Sequence, residues 1–548
     1  MRYLYSALLL LFTVVSQGQP ATPSLHFKFR IYLSDKGESG YSLDEPEKFL
    51  TEKAIERKKR QNVEINTSDL PISPDYFTLV EKAGAQVVTH SKWLQTITVQ
   101  LDDSLKIEQI IALPFVDSVR YVWRGHDRTY RYSVRPRLEK MDCAATSHSD
   151  TLFGLAAAQY KIHNADKLSH AGFRGKGINV AVIDAGFTNF DVIPSFSSVR
   201  LRGWMNFVPG GDIFSSSDHG TKVLSTMAVN QPGLLMGSAP EADYWLLRSE
   251  DVTSEFPVEE DYWVRAVEYA DSLGVDVINS SLGYNHFDDK QLNYTHADLT
   301  GSVSIMSIAA DIAYEKGMLV VVSAGNEGNK PWRKLTPPGD GRNVIAVGAV
   351  GTDSLIASFS SHGLTADGRI KPDFVSVGSG TITIGQDGLV GMTNGTSLSS
   401  PFLAGLAASL WSINPDLHRS ALIDIIRASS DRYIAPDSVY GHGIPDFHKA
   451  MTMVLAGLKV EEKTVTEQYF SFSRPSRDNF IITLTDPFFS LDAYQVNLLA
   501  ESGRLISTSY FEDESLSIVV PPSSGEREPF LHLVFISPFT QKTIRIKM

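Results

Sequence analysis

Three successive patterns of apolar and polar positions divide the chain. From about residue 25 to 123, short alternating runs are interleaved with amphipathic ones. HFKFRIYL (26–33), AQVVTH (85–90), LQTITVQL (94–101) and FVDSVRYVWR (115–124) predict strands. EPEKFLTEKAIERKKRQN (45–62) has helical spacing, with Phe49 and Ile55 on one face. SPDYFTLVEKAG (73–84) opens on a capping serine and closes on glycine, and DSLKIEQIIAL (103–113) is a third helical stretch. The basic run Glu56–Arg60 within the first helix reads as a solvated face. A polar, weakly patterned connection occupies 125–150.

From about 155 to 455 the pattern changes to short, wholly apolar strands alternating with helical stretches. They are INVAVIDAG (178–186), ADYWLLRSE (242–250), VDVINSSLG (275–283), GMLVVVSAGN (317–326) and NVIAVGAVG (343–351). Strands apolar on both faces predict a parallel sheet covered by helices on either side. The final stretch returns to alternation in NFIITLTD, AYQVNLLAE, LSIVVP and FLHLVFI and predicts a small all-β unit over about 457–548. The expected fold is therefore α/β with a doubly wound parallel sheet. A β-α-α-β-β-α-β unit of ferredoxin-like type with one extra helix precedes it.

Composition narrows the setting. With 548 residues the chain is too long for one domain, and its formal net charge of −13 argues against nucleic acid or an anionic membrane as the main partner. The N-terminus carries Arg2, an apolar run from Leu4 to Val15, and the small residues Ser16 and Gly18 before Gln19. That is the form of a secretory signal peptide over 1–18, and no other run is long and apolar enough to span a bilayer. The expectation is a secreted or cell-surface protein with no transmembrane anchor in the mature chain. The one cysteine, Cys143, excludes an intramolecular disulfide.

Functional side chains of such a sheet gather at the C-terminal ends of its strands. Asp184 ends the first strand, and Asn326 follows the fourth in SAGNEG. His219 lies in SSSDHGTKVLSTMA before a helical stretch, and Ser397 opens another in NGTSLSSPFLAGLAASLW. A serine that attacks a carbonyl needs a histidine base held in one tautomer by a buried carboxylate. Asp184, His219 and Ser397 supply that set, and the Asn326 side-chain amide with the Ser397 N–H can stabilise an oxyanion. Each residue alone has a structural reading: a strand-end turn, a core histidine, a helix cap. The order Asp, His, Ser is that of subtilisin, and the absence of a Gly-x-Ser-x-Gly elbow removes the α/β-hydrolase arrangement.

On these four segments the sequence resembles the subtilisin-like serine peptidases (subtilases, peptidase family S8). VAVIDAG matches the family's aspartate motif, His219-Gly220-Thr221 its histidine motif, Ala324 to Gly328 its asparagine motif, and Gly395 to Pro401 its serine motif. The resemblance implies Asp184 as the histidine-orienting acid, His219 as base, Ser397 as nucleophile and Asn326 in the oxyanion hole. Ser281, Leu282 and Gly283 resemble the strand that pairs with the substrate backbone beside the S1 pocket. Leu398-Ser399 and His362 depart from the family pattern and bear on pocket shape, not on proton transfer.

The N-terminal unit then resembles an I9-type propeptide, an intramolecular inhibitor, with self-cleavage expected in the connection. The C-terminal unit, in SGRLISTSYFEDESLSIVVP and FLHLVFISPFTQKTIRIKM, resembles the sorting domains of the Bacteroidetes type IX export pathway. An accessory β-sandwich is the alternative. The expected boundaries are 19–140 for propeptide and linker, 141–456 for the catalytic domain and 457–548 for the β domain. The expected activity is hydrolysis of protein or peptide substrates through an acyl-enzyme. The alternatives are an inactive binding protein on a peptidase scaffold and a serine-dependent esterase or transacylase. No cofactor is required and no metal site is assigned. Calcium sites are frequent in the family, but Asp288, Asp289 and Asp298 read equally as solvent-facing acids.

Overall fold

Strands β1 (Leu25–Leu33), β2 (Gln86–Ser91), β3 (Thr96–Leu101) and β4 (Val116–His126) form an antiparallel sheet in the order β2-β3-β1-β4. This is the N-terminal unit in a computed structural model. It describes residues 25–126 and 152–461, and then 464–466, 470–476, 479–484, 495–511, 515–520, 529–536 and 541–547. The signal-peptide stretch, Cys143 and most of the connection lie outside the described residues.

Local sequence sets the helix ends of this unit. Thr51 Oγ1 accepts the Ala54 N–H at 3.2 Å and starts α1 (Glu52–Arg60), which is shorter than the helical spacing suggests because Pro46–Lys48 is a separate 3₁₀ turn. Ser73 Oγ accepts the Asp75 N–H and Pro74 takes the first turn of α2 (Pro74–Lys82), which stops at Gly84 with φ +89°. Helix α3 (Ile107–Ile111) continues a 3₁₀ turn.

The catalytic sheet has seven parallel strands: β5 (Asn179–Asp184), β6 (Arg200–Asn206), β7 (Asp243–Arg248), β8 (Val277–Ser280), β9 (Leu319–Ser323), β10 (Ile345–Val350) and β11 (Phe374–Val377). Their order is β11-β10-β9-β8-β5-β7-β6. Five are legible in the sequence as apolar runs. Edge strand β6 is not, because Arg200 and Arg202 sit in it and reach across to Asp243 at 2.8 and 2.7 Å. Edge strand β11 is only four residues long.

Val180 and Val182 of β5 point into one hydrophobic core and Ala181 and Ile183 into the other, as a strand buried on both faces requires. On the first side lie α4 (His219–Ala228) and the long α7 (Thr396–Trp411). On the second lie α5 (Val258–Leu273) and α6 (Ile305–Glu315). Helix α7 is buried along nearly its whole length, and each fully buried side chain such as Phe402 or Leu410 contributes about 1.5–3 kcal/mol. The chain adds β6 and β7 on one side of β5 and then β8 to β11 on the other. The crevice between β5 and β8 is therefore the topological switch point.

The N-terminal unit lies on α5, where Val122 and Trp123 pack on Phe256, Val258 and Tyr262 and ionic contacts surround them. The Arg30 guanidinium holds Asp261 with two bonds of 2.6 and 2.7 Å and also donates to the Pro257 carbonyl. Arg57 and Lys58 meet Asp271, Lys58 also meets Asp69, and Arg60 reaches Asp276 at 2.9 Å. Glu268 accepts the backbone N–H groups of Lys92 and Trp93. The basic run of α1 is thus not a solvated face: Arg57 is 0 % and Lys58 1 % exposed. Docking on α5 buries them, and a single helix's sequence does not reveal the carboxylates that meet it.

The C-terminal unit packs a five-stranded sheet on a four-stranded one around Phe472, Phe480, Leu498 and Leu533. Leu499, Val534 and Ile536 extend into the catalytic core, and Asn497 Nδ2 donates to the Ala171 carbonyl at 2.9 Å.

Candidate active site

The crevice collects all four candidate groups. Asp184 is fully buried at the end of β5, where its Oδ1 accepts the Ala185 N–H at 2.8 Å and faces His219 Nδ1 at 2.7 Å. A carboxylate only accepts, so Nδ1 carries the proton and Nε2 is left as the basic nitrogen. Asp184 Oδ2 is buried with no hydrogen-bond partner among the described residues. His219 opens α4, and Gly220 lets that helix approach β5 closely. A Cβ there would lie 2.4 Å from the Gly186 carbonyl oxygen and 3.0 Å from Asp184 Cβ.

Burial pulls the His219 pKa down, but the charge and hydrogen bond of Asp184, then Glu250 and Asp218, more than offset it and raise it to about 9. The ring keeps 38 % exposure, open to the crevice.

Ser397 is the second residue of α7; the cap position is Gly395, at φ +151°. Ser397 Oγ donates to the Ser281 carbonyl at 3.4 Å, and Ser281 Oγ donates back to the Ser397 carbonyl at 2.9 Å. Among the described residues no hydrogen bond joins Ser397 Oγ to His219. Such bonds are often long without substrate.

Thr396 N–H and Oγ1 both donate to Asn326 Oδ1, each at 2.9 Å. That fixes the amide with Nδ2 turned away from Thr396. A Cβ at Gly395 would lie 3.7 Å from both Asn326 Nδ2 and the Ser397 nitrogen, so the two donors flank one point. Ser281 and Leu282 are buried. The N–H and C=O of Leu282 and Gly283 take no partner among the described residues, which leaves an open strand edge.

Other candidate positions fall outside the crevice. Asp289 caps the turn Lys290–Leu292, Asp298 closes a capping box with Thr295, and Asp288 pairs with Glu255. His362 is half-buried and ties its backbone to Arg333 and Leu335. Sequence reasoning does not single out Thr396, although it positions Asn326. The signal is its place directly before the nucleophile in the serine motif. It also passes over the acids at the rim, Glu250 and Glu255; their density in SEDVTSEFPVEED is the available clue.

Residues 175–443 match the model of the Subtilase family, Peptidase S8, and residues 28–135 match that of the Peptidase S8 propeptide domain, Bacteroidota. The chain is 31 % identical over 285 residues to subtilisin of Bacillus pumilus, covering 51 % of this chain and 93 % of that one. It belongs to the subtilase family. Its members are subtilisin-like serine endopeptidases. It is also similar to subtilisin E of Bacillus subtilis (strain 168), at 32 % identity over 285 residues, covering 51 % of this chain and 67 % of that one.

Among solved structures, the epidermin leader peptide processing serine protease from Staphylococcus aureus aligns with a TM-score of 0.54 at 17 % identity. That alignment covers 80 % of this chain and 100 % of the other, a likeness of fold. The subtilase carries its propeptide domain in place on α5. No helix among the described residues is long and apolar enough to cross a membrane.

Proposed function

We propose that this subtilase is a secreted endopeptidase whose triad is Ser397, His219 and Asp184. Ser397 Oγ attacks a peptide carbonyl as its proton passes to His219 Nε2, and Asp184 stabilises the imidazolium. Asn326 Nδ2 and the Ser397 N–H receive the oxyanion. The C–N bond then breaks with the proton delivered to the leaving amine, and water repeats the sequence on the acyl-enzyme. Ser281, Leu282 and Gly283 present the open edge that pairs with the substrate backbone.

Residues 1–18 direct export and 19–140 comprise the inhibitory propeptide and its linker. Residues 141–456 are catalytic, and 457–548 form the C-terminal domain. The observation that carries this reading is the 2.7 Å Asp184–His219 pair beside the crevice that also holds Asn326 and Ser397.

The test is the intact mass of the protein made without residues 1–18, beside Ser397→Ala. The wild type is expected to lose its N-terminal unit by cleavage between 127 and 150 and to react with a fluorophosphonate, while Ser397→Ala does neither. Equal processing and equal labelling of both would sink the assignment of Ser397.

A further inference from the structure

One polar side chain inside the catalytic sheet belongs to neither the triad nor the oxyanion hole. Asn279 is fully buried in β8, which pairs with β5 on one side and β9 on the other. Those two neighbours lead to Asp184 and Asn326. Val277 of β8 faces the core on the α7 side, and alternation along a strand puts Asn279 on that face too. An amide in a central strand is disfavoured and costs free energy unless its polar atoms are bonded.

Its bonds form a chain that ends at the nucleophile. Asn279 Oδ1 accepts the Ser400 hydroxyl at 2.7 Å, and Nδ2 donates to Ser281 Oγ at 3.3 Å. Ser281 Oγ donates in turn to the Ser397 carbonyl at 2.9 Å. The directions are fixed from the far end. A carbonyl only accepts, so the single hydrogen of Ser281 Oγ points at Ser397. Ser281 Oγ then accepts from Asn279, which turns Nδ2 toward it and leaves Oδ1 for Ser400. Ser397 and Ser400 are three positions apart and share one face of α7. Asn279 therefore holds the first turn of that helix directly at Ser400 and through Ser281 at Ser397.

The sequence explains why the Ser397 carbonyl is available. In an α-helix it would accept the N–H of the residue four positions on. That residue is Pro401, inside α7, and proline has no N–H. The strand provides the donor that the helix lacks. Pro401 thus frees the nucleophile's own carbonyl to dock on Ser281, whose carbonyl receives Ser397 Oγ at 3.4 Å.

We propose that Asn279 is a positioning residue for the reaction: through Ser281 it secures the Ser397 carbonyl that Pro401 leaves unbonded, and so fixes the nucleophile and its N–H against the strand edge at 281–283. This rests on the peptidase reading of Ser397. Asn279 itself touches no substrate. A displacement of the reacting group by about 1 Å costs on the order of a hundredfold in rate.

The test compares the full-length wild type with Asn279→Ala, Ser281→Ala and the double variant, each freed of its N-terminal unit by thermolysin stopped with phosphoramidon. Ser281→Ala keeps the backbone of the strand edge. Fluorophosphonate labelling carried to completion counts the folded sites, and kcat and KM on an internally quenched peptide of residues 126–140 are expressed per labelled site. Asn279→Ala is expected to lower kcat per site by about ten- to a hundredfold, with KM changed by less than about threefold. Ser281→Ala should lose as much, and the double variant no more than the larger single loss, because the two residues act in one chain. Fewer labelled sites at the wild-type kcat leave Asn279 a purely structural role and overturn the proposal, as do losses that multiply. Should Asn279→Ala not fold, Ser281→Ala decides, and an unchanged kcat per site there overturns the proposal. In all of these outcomes the labelled wild type leaves the peptidase standing. A wild type that neither cleaves nor labels overturns both.

Discussion

Two acidic regions of the catalytic domain lie within one stretch of chain and meet opposite fates. On α5, Asp261 and Asp271 face the N-terminal unit, and each is matched by a buried arginine or lysine of that unit. At the cleft rim, Glu250 and Glu255 precede the same helix; the charges of His219 and Arg248 act on Glu250, but neither carboxylate is ion-paired or hydrogen-bonded among the described residues. Both regions bear the cost of taking charge out of water. The difference is where the compensating charge comes from. The first receives it from the propeptide, permanently while the two units are joined. The second has the charges of His219 and Arg248 nearby but no direct bond to either among the described residues. A buried carboxylate is thus informative only together with its partners.

The largest way to break this comparison is to strand one charge of the paired region. Asp261→Ala leaves Arg30 buried without its bidentate acceptor, which costs about 3–5 kcal/mol when one partner of a buried pair is removed. Inhibition of the mature enzyme by the N-terminal unit added back is expected to weaken by roughly 10²- to 10³-fold. A change below about threefold would show that the ionic contact is not what holds the unit on α5.

A smaller effect sharpens the link between rim and dyad. His219 works as a base only when neutral, and its pKa is raised to about 9. A raised pKa holds the proton to higher pH, so kcat/KM is expected to climb from neutral pH toward that region. Glu250 is one of the charges that raises it. Glu250→Gln removes a negative charge near the imidazolium, so the rising limb should move to lower pH, measured on a peptide without basic residues. An unmoved limb would separate Glu250 from the dyad electrostatically.

The smallest effect is ionic. The Debye length falls from about 8 Å at 0.15 M salt to about 3 Å at 1 M. The shift of the rising limb in Glu250→Gln should shrink with salt, because the rim opens to solvent. The propeptide contact, with Arg30 and Asp261 shielded from water, should respond less. Equal salt sensitivity of the two would contradict the distinction between an open and a closed acidic region.

Much of the site is legible in the sequence because each functional residue sits in a short segment whose local order carries its chemistry. Asp184 ends an apolar strand, His219 and Ser397 each precede a helix, and Asn326 follows a strand with glycines on both sides. Strand ends in a parallel sheet converge, so their order along the chain implies their meeting. Thr396, which orients Asn326 through two hydrogen bonds, is not legible, because its partner is 70 residues away.

Sequence alone determined the element order, the parallel sheet, the helix ends at Ser73 and Gly84, and the four candidate groups. These follow from periodicity, capping and backbone conformation, which act over a few residues. Tertiary structure decided that Arg57 and Lys58 are buried rather than solvated, that β6 and β11 complete the sheet, and that Glu250 stands beside His219. Burial and charge pairing depend on what lies across the fold, and a carboxylate's neighbours are set by packing, not by the residues next to it in the chain.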